Sequence, residues 1–101
     1  MSEAPQQQQQ QREPNTVFIG KKPTMSYVLA CLTVMQNGGA GCNIKARGKA
    51  ISKAVDVAQI ITKRFATDVS VKKIAINTEQ VKSLETGAMN NVSSIEIHLE
   101  K

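Results

Sequence analysis

The sequence predicts a two-layer α+β fold (the α/β class in its broad sense) of order β-α-β-α-β-β, with a mixed four-stranded sheet, two helices on one face and a long β3-β4 hairpin arm. Three observations carry this reading. Two short runs of β-forming residues are each followed by apolar residues at helical spacing, and the last third of the chain holds two long β-rich stretches around a turn of Gly and Asn. A helical crossover between the first two strands makes them parallel, and right-handed crossovers dominate.

The elements follow in order. Thr16-Val17-Phe18-Ile19 is a buried strand that stops at Gly20. Pro23 suits a helix entry, and Tyr27, Val28, Cys31, Leu32, Val34 and Met35 recur at helical spacing until Asn37-Gly38-Gly39 ends the helix. Residues 42–46, centred on Ile44, form the second strand. Gly48 opens a longer helix in which Ile51, Val55, Ala58, Ile61 and Phe65 make one apolar stripe, and Asp68 marks the turn out. Val69, Val71, Ile74 and Ile76 begin a strand that runs on through Val81, and Val92, Ile95, Ile97 and Leu99 make the last one. Residues 84–91 supply the turn between them. With ten residues in each strand the arm would span roughly 30 Å, enough to leave a small body.

A chain of 101 residues makes one domain with a modest core, assigned to residues 15–101. Residues 1–14 carry the run from Gln6 to Gln11 between Pro5 and Pro14 and read as a disordered Gln-rich tail. The chain shows no apolar core of a signal peptide, and no window approaches the ~20 apolar residues that a bilayer span needs. The expectation is a soluble intracellular protein with no membrane partner.

Charge is segregated along the chain. The net charge is +5, and all of it comes from an acid-free stretch, residues 14–55, that holds Lys21, Lys22, Lys45, Arg47, Lys49 and Lys53. The tail before it is slightly acidic, and the remainder is neutral. A surface built only for solubility would intersperse both signs, so this segregation points to a polyanion. Gly20-Lys21-Lys22-Pro23 sets two lysines in a strand-to-helix turn, where peptide N–H groups and the helix's positive end also attract phosphate. Lys45-Ala46-Arg47-Gly48-Lys49 repeats the arrangement at the next strand end, Lys53 lies one helical turn further on, and Asn43 adds a neutral donor. In a β-α-β unit both strand ends share one edge of the sheet, so these cations should gather. Nucleic acid is the ligand that such a face fits best, ahead of an acidic protein.

Other chemistry is poorly supplied. Gly41 and Gly48-Lys49 imitate a phosphate-cradling nucleotide loop, but six residues intervene instead of four and Ala50 stands where a hydroxyl must hold the metal. His98 is the only histidine, and Asp56, Asp68 and Glu79 are scattered, so no acid-base or nucleophile pair emerges and the chain reads as no enzyme. No cofactor and no metal are expected, because Cys31 and Cys42 have no companions at ligand spacing. Two readings stay open for these cysteines, small core residues or a disulfide between helix and strand. Phe18 and Tyr27 fit core positions and leave no aromatic pair for base stacking, so recognition should rest on phosphates and shape. Phe65, after Lys63-Arg64, is either ordinary core or an exposed anchor for self-association.

Three stretches, V-F-I-G-K-K-P-T-M-S-Y-V-L-A, I-K-A-R-G-K-A-I-S-K-A-V-D with its helix to K-R-F, and V-S-S-I-E-I, resemble the Alba family of small archaeal chromatin proteins over residues 16–101. The resemblance implies a fold similar to the C-terminal domain of bacterial translation initiation factor three. It also implies a homodimer, cytoplasmic and chromosome-associated, that coats and condenses double-stranded DNA and binds RNA as well. Its basic body falls on Lys21, Lys22, Arg47 and Lys49, and its paired arms, which follow the minor groove, on about residues 80–92. Phe65 matches a position that joins dimers side by side along DNA, and Lys21 matches a lysine subject to reversible acylation, such as acetylation. A deacetylase and a paralogue able to form a heterodimer complete the implied partners. Two departures stand out: the tip E-T-G-A-M-N-N lacks the arginine of many relatives, leaving Lys82 as the only base near the arm, and the Gln-rich extension is unlike the family's short tails. The competing reading within this fold is a dedicated RNA-binding protein, similar to a ribonuclease P subunit or an RNA chaperone.

Overall fold

The computed structural model describes residues 15–37 and 41–101. The Gln-rich tail and the helix stop at Gly38-Gly39 lie outside the described residues. Strand β1 is Thr16–Phe18, helix α1 is Thr24–Gln36, strand β2 is Gly41–Arg47 and helix α2 is Ile51–Ile60, followed by the long strands β3 (Ser70–Lys82) and β4 (Met89–Glu100). The sheet order is β1-β2-β4-β3. β1 runs parallel to β2, whereas β4 is antiparallel to both β2 and β3. The mixed sheet with two helices is the architecture that the sequence predicts.

Alternation along β2 explains why the sheet has one wet face. Cys42, Ile44 and Ala46 are buried, and so are their partners Leu99 and Ile97 on β4, because this face receives both helices. Val28 and Cys31 from α1 and Ala54, Val57 and Ala58 from α2 complete that core. Asn43, Lys45 and Arg47 point the other way, onto the open face, as do Glu96 and His98. Gly41 sits where β2 and β4 approach closely: a Cβ there would overlap the Leu99 carbonyl.

Several boundaries differ from the sequence reading. Gly48 does not open the second helix directly. It has φ +58°, which favours glycine, and begins a 3-10 turn (Gly48–Ala50) that redirects the chain from the strand into α2. The buried face of α2 runs through Ala54, Val57, Ala58 and Ile61, while Val55 is exposed, so the stripe drawn from Ile51 through Val55 is rotated from the true one. After Ile60 the helix widens into a π turn (Ile61–Phe65), closed by the Ala66 N–H donating to the Ile61 carbonyl at 2.7 Å. The wider turn takes Phe65 off the buried stripe and leaves it 52% exposed, which removes the ordinary-core reading for this residue.

The hairpin also has a shorter turn than predicted. Asn90 and Asn91 are strand residues, paired with Val81 and Gln80, and only residues 83–88 form the loop. A bulge at Lys72 separates the pairs Val71 with Leu99 and Lys73 with His98. β4 pairs with β2 only as far as Ser94, opposite Arg47. The unaccompanied arm is therefore residues 78–82 against 89–93, about 17 Å of strand plus the loop. That is shorter than the estimate from strand length alone, because half the hairpin belongs to the body.

Cys31 and Cys42 are free thiols, both fully buried, where α1 meets β2. The disulfide reading is corrected accordingly. A hydrogen bond with Cys42, together with burial, pushes the Cys31 thiol far above its ordinary range, and the Cys42 thiol faces the Asn43 carbonyl at 3.7 Å. The same hydrogen bond lowers the Cys42 thiol against the opposing effect of its burial, and both side chains are core residues.

Candidate nucleic-acid interface

The carboxyl ends of β1 and β2 form one rim, since the parallel pairing continues past β1 through the Ile19 N–H, which donates to the Lys45 carbonyl at 2.9 Å. Lys21 and Lys22 leave this rim on the turn into α1, and Arg47 and Lys49 leave it on the turn into α2; all four are exposed. A direct contact joins the two turns: Lys53 Nζ, one helical turn past Lys49, donates to the carbonyls of Gly20 (3.1 Å) and Lys22 (2.8 Å). Lys21, Lys22, Arg47 and Lys49 thus leave one rim, with Lys53 held against the first turn, whereas Lys45, expected to gather with them, lies on the open face of the sheet.

The backbone of the 20–22 turn behaves differently from the expectation. Two of its N–H groups are turned inward and are not offered to a phosphate. Gly20 N–H and Lys22 N–H both donate to the Tyr27 hydroxyl at 2.9 Å. Anion attraction here therefore falls to the side-chain ammonium groups, with the open first turn of α1 behind them. Pro23 caps that helix without a side-chain bond and with φ −59°.

Three predicted residues sit elsewhere. Lys45 is half-buried on the open face, with its ammonium 5.8 Å from the centre of the Phe18 ring, so Phe18 lies beneath a lysine and outside the core between the layers. Asn43 is at the far end of β2, and its Oδ1 lies 2.6 Å from His98 Nδ1, whose Nε2 faces Glu100 Oε1 at 3.1 Å. The Asn43 amide oxygen is thus engaged within the sheet, and the side chain stands at the opposite end of β2 from the rim it was expected to join. Lys82, the last residue of β3, is three positions beyond Glu79 and so about 10 Å further out along the arm.

Arg47 carries a partner that the sequence did not announce. Its guanidinium meets Glu79 of β3 at 3.1 Å, an exposed pair that ties the end of β2 to the root of the arm. Exposed pairs contribute about 0–1 kcal/mol, so a phosphate can compete for this arginine. Tyr27 is the other functional residue missed by spacing. A buried tyrosine needs a partner for its hydroxyl, and the unpaired amides of the preceding turn were the available ones.

On the helix side, β3 extends past the cover of α2. Val71, Ile74 and Ile76 lie on that face and are exposed, Ile76 at 79%. Among the described residues no helix is long and apolar enough to cross a membrane.

The Alba family profile matches residues 15–78. The chain belongs to the Alba family. Relatives named DNA/RNA-binding protein Alba agree: the Alba 1 protein of Archaeoglobus fulgidus is 58% identical over 87 residues, covering 86% of this chain and 96% of its own length. The Alba protein of Methanocella arvoryzae is 51% identical over 89 residues, covering 88% and 92%. Among solved structures, Alba from Thermoplasma volcanium superposes with a TM-score of 0.80 at 50% identity, covering 86% of this chain and all of that one. ALBA1 from Trypanosoma brucei gives 0.67 at 26% identity, covering 87% and 69%. The Alba profile spans the whole basic rim, including Lys21, Lys22, Arg47, Lys49 and Lys53.

Proposed function

We propose that this Alba-family chain is a sequence-tolerant nucleic-acid-binding protein that coats and compacts double-stranded DNA and also binds RNA. The observation that carries the reading is the gathering of Lys21, Lys22, Arg47, Lys49 and Lys53 on one rim by the β1-α1-β2-α2 fold. Relatives at 51–58% identity are named for both nucleic acids. Lys21, Lys22, Arg47 and Lys49 would meet backbone phosphates, which carry affinity but no sequence information.

The working unit in this reading is a homodimer. The exposed apolar strip of Val71, Ile74 and Ile76 on one face of β3 supports a second copy of the chain as its cover. Phe65, held out by the π turn, would join dimers side by side, and its replacement by Ala should flatten cooperative binding curves while isolated dimers still bind. Acylation of exposed Lys21 would remove one ammonium from the rim and weaken binding.

A salt titration tests the electrostatic core of the proposal. If a dimer engages roughly eight phosphates, log affinity for duplex should fall against log salt with a slope of about −7. A slope near zero would remove the mechanism. Competition between plain duplex and structured RNA at matched salt would expose a dedicated RNA binder, which would leave the duplex first.

A further inference from the structure

The 20–22 turn is gripped from two sides. Tyr27 of α1 accepts the N–H groups of Gly20 and Lys22, both at 2.9 Å, and Lys53 of α2 donates to the carbonyls of the same two residues at 3.1 and 2.8 Å. Both lone pairs of the phenol oxygen and two of the three ammonium hydrogens are thereby engaged. The grip is also closed on itself, since the Lys53 ammonium lies 5.9 Å from the centre of the Tyr27 ring. Four backbone polar groups of one turn thus depend on two side chains from two different helices.

We infer that Lys53 is a positioning residue rather than a phosphate ligand: with Tyr27 it clamps the backbone from which Lys21 and Lys22 project. The inference rests on the reading that those two lysines meet phosphate. Its physical content is preorganisation. Lys21 and Lys22 lie in a turn that contains a glycine and precedes a proline, and no strand or helix ladder holds residues 20–22. Freed from the clamp, the turn would have to be ordered on binding, which weakens affinity without removing any cation that touches the ligand. Position in sequence made Lys53 one more charge on the patch; its two carbonyl contacts assign it a different task.

The test uses the full-length protein, a plain DNA duplex and three variants: K53M, which keeps the stem over Tyr27, Y27F, which removes only the hydroxyl, and the double variant K21A/K22A. In the free protein, K53M and Y27F should both speed amide exchange at Gly20 and Lys22 by about threefold or more while core amides such as Ile44 keep their protection. Each should weaken duplex binding by about threefold to tenfold. The salt slope should stay within about 0.3 of the parent, because no phosphate contact is lost. In the K21A/K22A background neither change should cost further affinity, since nothing remains for the clamp to position. The inference is overturned if K53M lowers the slope by about 0.9 and its loss adds fully to that of K21A/K22A, the behaviour of a direct phosphate ligand. It is equally overturned if exchange at Gly20 and Lys22 is unchanged in K53M. If instead K21A/K22A binds duplex as well as the parent, the phosphate reading of the turn fails, and faster exchange in K53M would then report a clamp with no part in binding.

Discussion

The basic rim and the arm tip are both reached by loops, yet they are built in opposite ways. At the rim, the 20–22 turn is held by four hydrogen bonds from side chains on two helices. At the tip, residues 83–88 are held only by one another: Ser83 N–H to the Ala88 carbonyl and Gly87 N–H to the Ser83 carbonyl, both 2.8 Å, with Gly87 at φ +76°. The rim concentrates cations, whereas the tip offers Lys82 against Glu85, with Leu84 fully exposed. Charge is placed where the backbone is fixed from outside, because a cation on a fixed turn meets phosphate with little ordering left to do. The arm has reach and little charge, so its contribution should come from shape.

The largest effect is therefore expected at the rim. Replacing Lys21 and Lys22 by Ala should lower the salt slope by about 1.8 per pair of lost phosphate contacts and weaken duplex binding on the order of tens of fold near 0.1 M salt, for all sequences alike. Fluorescence anisotropy over a salt series measures both, and an unchanged slope would break the contrast between the regions. The next effect is a gain. Glu85→Arg puts a guanidinium on the tip, and if the arm lies along the duplex the slope should rise by about 0.9, with binding up to about tenfold tighter at low salt. Unaltered binding would show that the tip stays away from phosphates.

The rim was legible in the sequence for a simple reason. Acid-free charge at two strand ends, combined with the rule that parallel strands share an edge, suffices to bring Lys21, Lys22, Arg47 and Lys49 together. The fold was legible on the same grounds, since strand and helix periods alternate cleanly up to residue 65. What escaped were features that depend on direction instead of spacing. The stripe through Val55 and the true one through Ala54 and Val57 differ by one position, and alanines give a weak periodic signal. A π turn changes the period at the point where Phe65 was assigned. Asn90 and Asn91 carry turn chemistry but are paired in the arm, where ladder hydrogen bonds outweigh local preference. The partners of Arg47 and Lys53 lie 32 and 31–33 residues away, beyond any local pattern.

The root of the arm joins the two regions, and Glu79→Gln tests how. Breaking the pair with Arg47 should change stability by less than about 1 kcal/mol, since both groups are exposed. It also releases a guanidinium toward the rim and deletes a nearby negative charge. Duplex binding should tighten by about twofold to fourfold at low salt, and the gain should fade at higher ionic strength as screening increases. Weaker binding would mean that Arg47 needs Glu79 to point it, placing this arginine with Lys53 as a residue that orients.

The smallest effect should come from Asn43, and its smallness is informative. Asn43 and Arg47 share the open face of β2 but lie four residues, about 13 Å, apart along the strand. The Asn43 amide oxygen is engaged by His98, itself beside Glu100, so a phosphate arriving there would meet a carboxylate. Asn43→Ala should cost about 1 kcal/mol of stability through the lost hydrogen bond and change duplex affinity by less than about twofold. Chemical unfolding and anisotropy on the same preparation separate the two. A large loss of affinity with normal stability would extend the interface across the open face of the sheet, and the rim would then be one border of a broader surface instead of the surface itself.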